Sequence, residues 1–137
     1  MMAPKRILLA EDDPSMRRAC DIALRRRGFE MIVAEDGEAA LRLMQTQLPD
    51  LLLLDLLMPK MSGIDVLRQV KGDPATQGIP VVILSNSSRE LERADAKSLG
   101  AIDYLIKANL SLQALGDRVE ELIGVANDEQ ALANSDR

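Results

Sequence analysis

Residues 51–54 are four consecutive leucines, and the residue that follows is Asp55. A run this short and this uniformly apolar has no solvent face, so it reads as a strand buried on both sides. Four further runs resemble it: Arg6 to Ala10, Met31 to Ala34, Val81 to Leu84 and Ala101 to Ile106. Helical patterns lie between them. Pro14 to Arg27 places Met16, Ala19, Cys20 and Ala23 on one face, with Gly28 as a stop. Gly37 to Gln47 repeats the pattern with Ala40, Leu41 and Met44, and Gly63 to Lys71 with Ile64, Leu67 and Val70. Glu90 to Leu99 is the most polar helix and ends at Gly100, whereas Leu112 to Ala126 steps by three and four through Leu115, Val119, Leu122 and Ile123. Five strands alternating with five helices predict a doubly wound α/β domain, a parallel sheet with helices on both faces.

The chain has 137 residues, of which 47% are apolar, enough for one sizeable core and no second one. The expected division is one domain over residues 1–126 and a polar tail over 127–137. A net charge of -5 argues against nucleic-acid binding by this chain, since phosphate backbones are gripped by clustered Lys and Arg. No apolar run approaches a membrane span, and Ile7 to Ala10 is too short for a signal peptide. With Cys20 as the single cysteine, no intrachain disulfide forms, which fits a reducing cytoplasm. The chain has no histidine, so any phosphohistidine chemistry must come from a partner.

In open parallel sheets the reacting groups collect at the carboxyl ends of the strands. Here the first strand runs into Glu11, Asp12 and Asp13, the third ends on Asp55, the fourth on Ser85 and the fifth on Lys107. Carboxylates crowded into one crevice repel each other unless a cation sits among them. Mg²⁺, a hard ion suited to oxygen ligands and phosphoryl groups, is the natural choice. Each residue also has a plainer reading. Asp13 before Pro14 is a good helix cap, and Glu11 and Asp12 could belong to the same solvated turn. Asp55 could be another cap, but a carboxylate ending four leucines is costly beside a buried sheet unless it has a role. Ser85 could satisfy a strand end, Lys107 could snorkel, and Tyr104 could be packing alone. The arginines of the first helix, Arg17, Arg18, Arg25, Arg26 and Arg27, read as a solvated face.

The segments Ala10-Glu11-Asp12-Asp13-Pro14-Ser15-Met16-Arg17, Leu54-Asp55-Leu56-Leu57-Met58-Pro59-Lys60-Met61-Ser62-Gly63, Val82-Ile83-Leu84-Ser85 and Gly100-Ala101-Ile102-Asp103-Tyr104-Leu105-Ile106-Lys107 together resemble bacterial response-regulator receiver domains. The resemblance spans roughly Lys5 to Ala126. It implies a flavodoxin-like receiver fold with strand order 2-1-3-4-5. Transferred residue by residue, it implies Asp55 as phosphoacceptor, with Glu11, Asp12, Asp55 and the backbone carbonyl of Leu57 around Mg²⁺. Ser85 would bond a phosphoryl oxygen, Lys107 would pair with the phosphate, and Tyr104 would change rotamer on activation. The implied partners are a histidine kinase or histidine phosphotransfer protein as donor and a downstream protein as reader. The implied function is two-component signalling, not catalysis on other molecules.

The sequence departs from the family pattern in places. Ala108 follows Lys107 where the family has Pro, so the bond between them should be trans, a cis bond without proline costing about 3 to 4 kcal/mol. Ser85 stands for the usual Thr, and Asn86 for a small residue. Leu57 and Ser87 hold the two variable flanking positions, and a leucine cannot hydrogen-bond an attacking water. Three other readings compete: a phosphate shuttle, an unphosphorylated pseudo-receiver, and an aspartate-nucleophile phosphatase. The last would need a second Asp where Leu57 stands. A flavin domain of this topology would need hydroxyls where Glu11, Asp12 and Asp13 lie.

Overall fold

The computed structural model describes residues 3–87 and 89–126; the polar tail read from the sequence at 127–137 lies outside them. The elements follow in strict alternation: β1 Arg6–Ala10, α1 Pro14–Arg26, β2 Glu30–Ala34, α2 Gly37–Gln47, β3 Leu51–Asp55, α3 Gly63–Gly72, β4 Val81–Ser85, α4 Glu90–Ser98, β5 Asp103–Ile106, a 3-10 turn Lys107–Asn109, and α5 Leu112–Ile123. All strand pairs are parallel, in the order β2-β1-β3-β4-β5, as the resemblance implied.

The two-residue period of a strand divides the leucine run between two cores. Leu52 and Leu54 join Leu8, Val81 and Ile83 under α2, α3 and α4, where Met44, Leu67, Val70 and Ala96 cover them. Leu51 and Leu53 join Ile7, Leu9, Val82 and Leu84 on the other side, against Cys20 and Leu24 of α1 and Leu115 and Val119 of α5. Each fully buried leucine stabilises the fold by about 1.5–3 kcal/mol, so β3 is the most strongly held strand.

Local chemistry sets the helix starts. Asp13 accepts from the Ser15 N–H with Pro14 next to it, Asp36 accepts from Ala39, Ser62 from Asp65 and Ser111 from Ala114. Two helices begin on glycine because backbone passes beside them. A Cβ on Gly63 would overlap the Asp55 carbonyl, and one on Gly37 would overlap the Met61 carbonyl. These contacts fix the loop from Leu56 to Ser62 against α2 and β3.

Two sequence-expected bounds shift by two residues or more. β5 starts at Asp103 because the Ala101 N–H turns back to the Ala96 carbonyl. α5 stops at Ile123, not Ala126: Gly124 takes φ +86°, and the Ala126 carbonyl accepts from the Lys5 N–H at 2.6 Å. Ala126 is nevertheless buried, so it kept the apolar period without being helical.

Candidate functional site

The register aligns the strand ends. Asp55 is level with Leu84, and Ser85 with Ile106. Glu11, Asp12, Asp55, Leu57 and Lys107 therefore line one cleft of about 400 Å³, whose mouth also carries Met16, Asn86 and Ala108. Glu11 is 1% exposed and Asp55 6%, while Asp12 faces solvent. One oxygen from each of these three carboxylates lies within 4.8 Å of the others. Lys107 reaches over them: its Nζ is 3.3 Å from Asp55 Oδ2 and pairs with Glu11 Oε1. Ser85 is buried and is not among the residues lining the cleft, and its Oγ accepts from the Ser87 N–H at 3.1 Å. Tyr104 stands apart from the cleft. Its ring is buried beneath the Arg93 guanidinium, and its hydroxyl donates to the Ser87 carbonyl at 3.0 Å.

Burial raises the Asp55 carboxyl to about 7, helped by a hydrogen bond to Glu11 and by Glu11's charge, with Lys107 pulling the other way. Burial depresses Lys107, but the hydrogen bonds and charges of Glu11 and Asp55 outweigh it and hold its ammonium above the usual range. Cys20 beneath the site is no nucleophile. Burial first, then Glu11, pushes its thiol up to about 11.

The donor set fits a hard divalent cation. All three side chains offer oxygen, and the buried Glu11 Oε1 has only the Lys107 ammonium against it. A cation there would relieve the repulsion that raises Asp55.

The bond between Lys107 and Ala108 is trans, no cis peptide bond occurring among the described residues. The 3-10 turn Lys107–Asn109 aims the lysine without the proline of the family pattern. Three arginines expected to be solvated are engaged instead, the half-exposed Arg25 with Asp21 and the Met31 carbonyl. Arg27 pairs with Asp117 and Glu120 of α5, and Arg17 Nη1 donates to the main-chain carbonyls of Glu11 and Asp12 at 3.1 and 3.3 Å. For Arg17 the available signal was its place one helical turn after Asp13, which turns it back over the loop.

The sequence model of the response regulator receiver domain matches residues 7–120. The chain belongs to that family. Among relatives, the DNA-binding response regulator MtrA of Mycolicibacterium smegmatis is 40% identical over 75% of this chain and 44% of MtrA. This chain thus spans less than half the length of MtrA. The Mn²⁺-bound form of the response regulator Rcp1 superposes with a TM-score of 0.79 at 30% identity, covering 88% of this chain and 95% of Rcp1. The chemotaxis protein CheY4 of Vibrio cholerae, at 24% identity, shares the fold with a TM-score of 0.81, covering 87% of this chain and 98% of CheY4. The chain is a signalling domain of two-component transduction, as a receiver domain. No helix among the described residues is long and apolar enough to cross a membrane.

Proposed function

We propose that Asp55 accepts a phosphoryl group from the phosphohistidine of a partner kinase or phosphotransfer protein, with Mg²⁺ held by Glu11, Asp12, Asp55 and the Leu57 carbonyl. The observation that carries the reading is the cleft itself, in which Lys107 spans Glu11 and Asp55 while Asp12 stands within 4.8 Å of both. Bound there, the cation would neutralise charge on the acceptor and on the incoming phosphoryl oxygens. An Asp55 oxygen forms the new bond to phosphorus as the bond from phosphorus to the partner's imidazole nitrogen breaks, and the released imidazole takes up a proton. Lys107 Nζ pairs with a phosphoryl oxygen, and positioning and charge do most of the work. The same groups support self-phosphorylation from small donors and self-dephosphorylation, slow because the exposed Leu57 side chain cannot orient water. That Rcp1, which shares this fold, is solved with Mn²⁺ bound supports divalent-cation binding by such a domain. The lone buried Cys20 supports a cytoplasmic setting.

Output would run from Ser85 through its loop to Tyr104, the face formed by α4, β5 and α5 being read by a downstream protein. One observation favours the phosphate shuttle as a second reading. The Tyr104 ring is already inward and tied to Ser87, which leaves it little room to turn. Amide shifts with and without fluoroberyllate separate the two, since a shuttle confines the changes to residues touching the mimic.

Incubation with acetyl phosphate and Mg²⁺ tests the acceptor. One labile phosphoryl group should appear by intact mass, and Asp55→Asn should abolish it. A stable adduct on Ser85 would refute the assignment.

A further inference from the structure

We propose that Arg17 is a positioning residue for the divalent cation: by gripping the main chain of Glu11 and Asp12, it sets the loop that presents their carboxylates. The inference rests on the metal reading above. Only three residues, Glu11, Asp12 and Asp13, join β1 to α1. Their ends are tied down separately. The Glu11 N–H donates to the Ala34 carbonyl at 3.1 Å, and the Asp13 carboxylate caps α1. The middle residue, Asp12, is exposed, and its carbonyl is held by Arg17.

Arg17 suits that task. Its own N–H donates to the Asp13 carbonyl, which places it in the first turn of α1, directly above the loop. From there one nitrogen, Nη1, serves both carbonyls, at 3.1 Å to Glu11 and 3.3 Å to Asp12. The other, Nη2, lies 3.9 Å from Glu35 Oε1, so the guanidinium also leans on the loop after β2. The side chain is 19% exposed, too enclosed for the solvated role its neighbours on the helix fill. The two N–H groups of Nη1 lie fixed in the guanidinium plane, one for each carbonyl, and a lysine ammonium, one bond shorter and free to rotate, does not hold that orientation.

Two effects of Arg17 on a cation have opposite signs, and that makes the proposal decidable. Its positive charge repels the ion, whereas its grip on the loop preorganises the ligands. The repulsion falls as salt is added, though only in part for so enclosed a group. Positioning is not screened. Removing groups that orient metal ligands typically weakens binding about 10- to 100-fold, and Arg17 acts through the backbone, so about tenfold is expected.

The test is a Mg²⁺ titration of the full chain in 0.15 M salt, followed by amide shifts, for wild type, Arg17→Met and Arg17→Lys, with thermal unfolding in EDTA alongside. Arg17→Met should bind Mg²⁺ about tenfold more weakly, and Arg17→Lys should fall between it and wild type. Equal affinity in all three, whatever happens to the unfolding midpoint, would reduce Arg17 to a structural role and overturn the proposal. Tighter binding by Arg17→Met would overturn it too, by showing that charge repulsion dominates. If Arg17→Met does not fold, Arg17→Lys decides alone: weaker binding at an unchanged midpoint supports the proposal, and unchanged binding refutes it. Absence of Mg²⁺ binding by wild type would remove the metal reading along with the inference, an outcome distinct from wild-type binding that the variants match.

Discussion

Replacing Asp55 by asparagine should make the metal-free protein more stable at neutral and alkaline pH, although it removes the proposed acceptor. The carboxyl titrates near 7 in the folded chain, against about 3.9 in an unfolded one. A group whose pKa rises on folding stabilises the native state fully below about pH 4, and loses that contribution as the pH climbs through about 7. Roughly three units at ~1.4 kcal/mol each mean that ionised Asp55 costs the native state on the order of 4 kcal/mol at pH 8. Asparagine escapes that cost but brings a buried NH₂ group, and an unmatched donor costs about 1–3 kcal/mol. The expected net gain is about 2 kcal/mol, or roughly 5–8 °C in Tm for a domain of this size. Thermal unfolding by circular dichroism in EDTA at pH 8, 7, 6 and 5 measures it. The advantage of Asp55→Asn should shrink steadily toward pH 5, and saturating Mg²⁺ should raise the wild-type midpoint while barely moving the variant's. A variant less stable than wild type at pH 8, or an advantage independent of pH, would refute the electrostatic account.

Two further outcomes are expected. Gly37→Ala should destabilise by more than about 2 kcal/mol, because its Cβ would overlap the Met61 carbonyl, whereas Gly72→Ala, with open space around the new methyl, should be neutral or stabilising by up to about 1 kcal/mol; urea unfolding of the pair checks this contrast. Lys107→Ala should raise the Asp55 pKa further above about 7, since Lys107 opposes the shift, and a ¹³C carboxyl titration that finds it unchanged or lowered would contradict the pairing.

Apolar runs made the strands legible because strand burial depends on residue type over only four or five positions, and each of the five runs overlaps a strand, the fifth over Asp103–Ile106 only. The site was legible for the same reason. Residues placed immediately after such runs must sit at the strand ends, and Glu11, Asp12, Asp55 and Lys107 do meet there. What stayed hidden depends on contacts across the fold. Leu24 and Val66 are buried as deeply as the residues named from the helical period, because helix orientation against the sheet decides such positions. The end of α5 was misplaced because Ala126 packs on the core from an irregular segment. Arg27 looked like its solvated neighbours because nothing local distinguishes an arginine that finds an acceptor from one that does not, whereas Arg17 differed only in standing one turn after Asp13.

The thin attachment of α4 has a consequence of its own. Ala96 is its one fully buried residue, and Arg89 at its start supplies no side-chain cap. A single buried methyl contributes on the order of 1 kcal/mol, far below what the leucines of β3 provide. The amides of α4 should therefore exchange with solvent through a local opening much cheaper than global unfolding. Such a helix can be re-seated by a few kilocalories, about what one new ionic contact at the neighbouring end of β4 can supply. The sheet is built to stay still, and α4 is the part of the molecule on which a small change in charge can be spent.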